Sequence, residues 1–130
     1  MSGSSLSERN SATRRSQTAR SATITVTGTG DVISVNNSAT LREAITSINN
    51  QADINTDITS NRSGNYASLS GGTVDIINFN IAGSGVQTIA VTGAPEPTII
   101  RPLTISGYSQ TGASANTLAN ADNAVILIRL

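Results

Sequence analysis

Apolar residues recur along this chain in short alternating runs separated by polar stretches. Thr23-Ile24-Thr25-Val26-Thr27 alternates at period two and is bounded by Gly28 and Gly30, which predicts a strand with one apolar face. Val32-Ile33-Ser34-Val35 follows closely enough to pair with it as a hairpin. Ile77, Phe79 and Ile81 alternate with Asn78 and Asn80, again giving one apolar and one polar face. Gly83-Ser84-Gly85 turns the chain into Val86-Gln87-Thr88-Ile89-Ala90-Val91, and Pro95 and Pro97 make a corner. Thr98-Ile99-Ile100 then leads into Pro102-Leu103-Thr104-Ile105-Ser106-Gly107, a strand with Leu103 and Ile105 as its inward pair. The last run, Ala124-Val125-Ile126-Leu127-Ile128, offers Ile126 and Ile128.

These inward pairs are nearly evenly spaced, 24 residues from Phe79 to Leu103 and 23 from Leu103 to Ile126. One strand per twenty-odd residues is the period of a coiled solenoid, in which each turn stacks its strand on the one before. The pattern therefore predicts an all-β fold, a right-handed parallel β-helix of about three rungs with one short N-terminal capping helix. That helix falls at about 41–48. Thr40 and Glu43 form a capping box, each side chain satisfying a free backbone donor. Leu41, Ala44, Ile45 and Ile48 make one apolar stripe at helical spacing, and Asn49-Asn50 ends it. Covering the first open rung is the role expected of it.

Residues 1–22 hold Ser, Thr, Asn and Arg with little to bury, and are expected to be a disordered tail. Residues 23–130 are expected to be the cap and first rungs. A polar insertion at about 51–72 is expected to be a loose loop. The last apolar run has no following strand to cover it, which suggests a truncated C-terminus.

Composition narrows the chemistry. Basic and acidic residues balance at eight each, so net charge implies no polyanionic partner. Arg9, Arg14, Arg15 and Arg20 are concentrated in the head, without the aromatic interleaving of a nucleic-acid site, and none is expected. No run reaches the roughly 20 apolar residues of a membrane-spanning helix, and no apolar signal-peptide core opens the chain. Cysteine and histidine are both missing, so acid–base chemistry near neutral pH would need a carboxylate with a shifted pKa.

Two segments resemble a known family, the large and mostly bacterial secreted or cell-surface proteins with a right-handed parallel β-helix. Ala39-Thr40-Leu41-Arg42-Glu43-Ala44-Ile45 is similar to the Cys-Ser-Leu-Arg-Glu-Ala motif that opens a short helix there; the Leu-Arg-Glu-Ala core is kept and the Cys replaced. PLTISGYSQTGASANTLANADNAVILI, residues 102–128, resembles a rung of that family, with Ser106 where Asp is expected and Thr111 where Pro is expected. With INFNIAGSGVQTI at 77–89, the likeness spans roughly 24–130 and is interrupted at 53–71. It implies an extracellular or cell-surface location.

Three sets of polar residues bear on chemistry. Asp53-x-Asn55-x-Asp57 copies the start of a calcium loop, but Ile58 stands where the sharp turn needs Gly and Gly64 where a bidentate Glu belongs. Asn78 and Asn80 would stack as an amide ladder or simply face water. Pectin-cleaving enzymes use an Arg base or clustered Asp residues on a β-helix; the candidates here, Arg101, Arg129, Asp75 and Asp122, are scattered singly. Fold analogy alone does not carry an activity. No catalytic, cofactor-binding or metal site is therefore assigned, and no cofactor is expected.

The expectation is a non-enzymatic structural or adhesion-type segment of a secreted or cell-surface β-helix protein. Its partner is expected to be a second copy through the open last rung, or a carbohydrate or cell-surface ligand. The alternatives are a fragment of a carbohydrate-active β-helix enzyme, a polysaccharide lyase or hydrolase, and a truncated gene product without independent function.

Overall fold

Thr23–Val26 forms strand β1, and its alternation places Ile24 and Val26 in full burial with the threonines on the other face. The computed structural model that contains it describes residues 20–68 and 70–130. The tail expectation lies outside the described residues over 1–19. Just before β1, the Ser21 hydroxyl donates to the Val74 carbonyl at 2.6 Å and the Ala22 amide donates to Asp75 at 2.8 Å.

Helix α1, Leu41–Asn50, begins as its sequence requires. The Thr40 hydroxyl accepts from the Glu43 amide at 3.1 Å, and Glu43 Oε2 accepts from the Thr40 amide at 3.0 Å. Leu41, Ala44, Ile45 and Ile48 are buried in one cluster with Ile24, Val26, Ile77 and Phe79. The helix ends with Gln51 in the left-handed conformation.

Helix α2, Thr56–Asn61, lies inside the stretch read as a loose loop. Asn55 caps it by accepting the Ile58 amide at 3.1 Å, and Ile58 is fully buried. One buried isoleucine in a six-residue helix is too weak a periodic signal to read from sequence. The short strand β2, Arg62–Ser63, runs antiparallel to β1. At Gly64, φ is +74° and an added Cβ would lie 2.3 Å from the Ser21 carbonyl oxygen, so only glycine fits this crossing.

Strand β3, Asp75–Phe79, pairs in parallel with β1, and β5, Leu103–Ile105, pairs in parallel with β3. The sheet order is β2-β1-β3-β5. A separate parallel pair joins β4, Gln87–Thr88, to β6, Ile128–Arg129.

Among the described residues the architecture is thus mixed α/β, with two α-helices and a sheet carrying both parallel and antiparallel strands, and not the all-β right-handed parallel β-helix expected. Three findings overturn that expectation. Ile77 faces Ile105 and Asp75 faces Leu103, a step of 28 residues rather than the 24 read from Phe79 to Leu103. The last strand joins β4 and does not stack on β5. Ile105 and Ile126 are 44% and 63% exposed rather than inward. Period-two alternation fixes which side chains share a face, but an even shift leaves that face unchanged, so it cannot fix the register.

The capping role for α1 falls with the stack, because the helix packs on the β1–β3 face instead. Val32, Ile33 and Val35 are exposed and form no strand; β1 takes β2 and β3 as partners instead of the predicted hairpin.

Candidate functional site: carboxylate anchors and an apolar edge

Most carboxylates of the folded part hold backbone. Asp75, 1% exposed, accepts the Ala22 and Ala67 amides, both at 2.8 Å on one oxygen. Asp57 accepts the Asn36 and Asn37 amides at 2.7 and 3.1 Å, holding Asn37 at φ +66°. Fully buried Glu43 adds the Ser34 amide at 2.9 Å and the Asn55 side-chain amide at 2.8 Å to its capping bond. Each carboxylate ties two chain segments together where a ladder hydrogen bond could not reach.

The Asp53-x-Asn55-x-Asp57 oxygens do not converge. Asp53 takes Arg62 on both oxygens, at 2.7 and 3.0 Å, with the Tyr66 hydroxyl at 2.6 Å and the Thr59 hydroxyl at 3.0 Å. The Arg62 guanidinium holds the Asp53 carboxyl below its ordinary range, against an opposing effect of burial, and the two hydroxyls lower it further. Arg62 also lies 5.1 Å from the centre of the Tyr66 ring. Burial, followed by the neighbouring Asp53, raises the Tyr66 hydroxyl well above its ordinary value. Asn55 is a helix cap and Asp57 a loop anchor. Among the described residues, no group of three acidic, His or Cys side chains is placed to hold a metal ion.

Of the four residues considered for polysaccharide cleavage, Asp75 and Arg101 line one small cavity, beside Ser68 and Thr73. Arg101 donates to the Ala67 carbonyl at 3.0 Å, while Asp75 holds the Ala67 amide. Arg129 donates to the Thr88 hydroxyl at 2.9 Å across the β4–β6 pair. Asp122 accepts the Ala124 amide at 2.8 Å within its own turn. Arg129 and Asp122 are therefore not brought to the Asp75–Arg101 cavity.

Most polar side chains of the motif-like segments serve as framework. In Leu41-Arg42-Glu43-Ala44, Leu41 and Ala44 enter the core and Glu43 caps the helix. Arg42 bonds the Asp31 carboxylate and the carbonyls of Ala94 and Pro95 at 2.7 and 2.9 Å. In Gly107-Tyr108-Ser109-Gln110, Ser109 Oγ accepts the Phe79 amide at 2.7 Å. Buried Gln110 accepts the Ile81 amide at 2.8 Å and donates to the Ile81 carbonyl at 2.7 Å, as a neighbouring strand would.

A different surface is open. β5 is an edge strand, and beside it Ile105, Tyr108 and Ile126 line a shallow groove with Thr104, Ser106 and Gly107. Past it, residues 114–125 form a loop closed by paired amides and carbonyls of Ser114 and Val125 and braced by Asn116 and Asn123. No helix among the described residues is long and apolar enough to cross a membrane. The chain matches no protein-family model, no curated protein and no solved structure. The family resemblance therefore stands on the quoted residues alone.

Proposed function

We propose that this chain is a non-enzymatic structural or adhesion-type module whose contact surface is the β5 edge and its apolar groove. The observation carrying this reading is the convergence of exposed Ile105, Tyr108 and Ile126 beside an edge strand. An edge strand offers unpaired N–H and C=O groups to another chain, and side chains alongside it give selectivity. The groove-lining residues carry no formal charge, which favours an apolar strand over a charged ligand. A second copy of the chain is the partner proposed. The engagement of Glu43, Asp57 and Asp75 with backbone amides supports a framework role for them over acid–base chemistry. Placement outside the cell or at its surface belongs to the same proposal and is supported by the resemblance alone.

Sedimentation of the purified chain over about a hundredfold range of concentration tests the proposal. The expected result is reversible self-association, weakened at least about tenfold by Ile105→Lys, a charge that guards edges against pairing. A monomer at every concentration overturns the proposed partner. Polysaccharide binding that Tyr108→Ala abolishes would replace the second copy with a carbohydrate ligand.

A further inference from the structure

Residues 92–100 cross α1 as a strap fixed at two places. Towards its start, Arg42 holds the Ala94 and Pro95 carbonyls, and the Thr92 amide donates to Asp31 at 2.7 Å. Two helical turns along α1, Asn49 donates to the Thr98 carbonyl at 2.8 Å and accepts the Ile100 amide at 3.1 Å. Between these fixings sits Glu96, flanked by Pro95 and Pro97. Both of its carboxylate oxygens are buried without a hydrogen-bond partner. Arg42, which bonds the carbonyl of the preceding Pro95, also holds Asp31, and this brings the Asp31 carboxylate to the Glu96 side chain.

An ionised carboxylate accepts and cannot donate, so a buried one without donors is costly. Two neighbouring carboxylates share no hydrogen bond unless one of them is protonated, and like charges side by side resist joint ionisation. Asp31 already has the Arg42 guanidinium at 3.1 Å and the Thr92 amide, so it is the member that keeps its charge. Pro97 has no N–H to offer Glu96, which removes one local donor.

We propose that Glu96 is a proton-dependent latch: its protonated carboxyl donates to Asp31 and fastens the strap to α1, and loss of that proton loosens it. The charged groups facing Glu96 are Asp31, from the loop before α1, and Arg42, from α1 itself. Burial raises the Glu96 carboxyl above its ordinary 4.5 and contact with Asp31 raises it further, while Arg42 pulls the other way. Arg42 and then the Thr92 amide hold Asp31 below its ordinary 3.8.

The directions fix the pH dependence. The folded Glu96 binds its proton more tightly than the unfolded chain does. Its stabilisation is therefore full below 4.5 and is lost as pH rises through the raised folded value. Asp31 acts oppositely, its contribution being full above 3.8 and lost as pH falls through its lowered folded value. The strap is held best where both contributions are present and loosens as pH rises through the raised Glu96 value.

Carboxyl carbon NMR of Glu96 in the intact chain, with amide exchange protection at Thr92, tests this. The Glu96 midpoint should lie above 4.5, and Thr92 protection should fall through that midpoint. The fall should be roughly tenfold for each unit of elevation. Glu96→Gln, whose amide donates to Asp31 with no proton to lose, should retain Thr92 protection at high pH. A Glu96 midpoint at or below 4.5 overturns the latch whatever the variant does. So does Thr92 protection in Glu96→Gln that still falls as in the wild type. Restoration of Thr92 protection at high pH by calcium alone, reversed by a chelator, would also overturn it by showing a cation-bridged pair.

Discussion

The two halves of this molecule bury their aliphatic residues to very different extents. Every buried apolar side chain among the described residues lies between Ala22 and Ile89. Beyond Ile89, Gln110 is the buried side chain, while Ile99, Ile100, Ile105, Leu118, Val125 and Ile126 are exposed. The first half is held by packing of α1 and α2 on the sheet. The second is tied on mainly by hydrogen bonds, from Arg42 and Asn49 to the strap and from Ser109 and Gln110 to the end of β3, with half-buried Leu103 and Ile128 packed against the core. Burying a large side chain stabilises by a few kcal/mol, whereas a typical hydrogen bond contributes about 1. The halves should therefore differ in local stability although they form one chain.

The strongest way to break the comparison is Phe79→Ala, which empties the centre of the packed half. It should lower unfolding stability by about 3–5 kcal/mol in a denaturant titration. A loss below about 1 kcal/mol would mean that the packed half is not the source of stability. Next is Glu43→Ala, which strands the Ser34 and Thr40 amides and the Asn55 amide group. The same titration should show a loss of about 3 kcal/mol, since an orphaned buried donor costs about 1–3.

Gln110→Ala sharpens the comparison from the other side. It removes the two bonds to Ile81 and should cost about 1–2 kcal/mol. The Ile81 amide should lose exchange protection while the α1 amides keep theirs. The smallest effect is electrostatic. Arg62 holds Asp53 below 3.8. Its stabilisation should be full above 3.8 and disappear as pH falls through the lower folded value. Thermal melts from about pH 6 to about 2 should show Asp53→Asn flattening the acid limb. An unchanged acid limb would place the acid-sensitive group elsewhere.

Legibility followed the range of the interactions. α1 was readable down to its capping box, because Thr40, Glu43 and the apolar stripe all lie within eleven residues of one another. The alternation in 23–26 and 77–79 correctly marked the buried side chains of β1 and β3. The register was not readable, since the step from β3 to β5 depends on where the intervening loops let the strands meet. Gln110 falls in the segment that carries the resemblance, yet its work is to imitate a strand against Ile81, a partner 29 residues away. The juxtaposition of Asp31 and Glu96 is not legible, because a carboxyl pair 65 positions apart leaves no local pattern. The flanking prolines of Glu96, which limit its local donors, were the one available hint.

Amide exchange followed at low and high protein concentration tests the central claim most directly. Protection in β1, α1 and β3 should be high and independent of concentration. Protection at residues 103–108 and 125–129 should be lower and should rise with concentration, as the β5 edge and its groove are covered by a second copy. Uniform protection across both halves, unchanged by concentration, would contradict both the division of the molecule and the contact surface assigned to it.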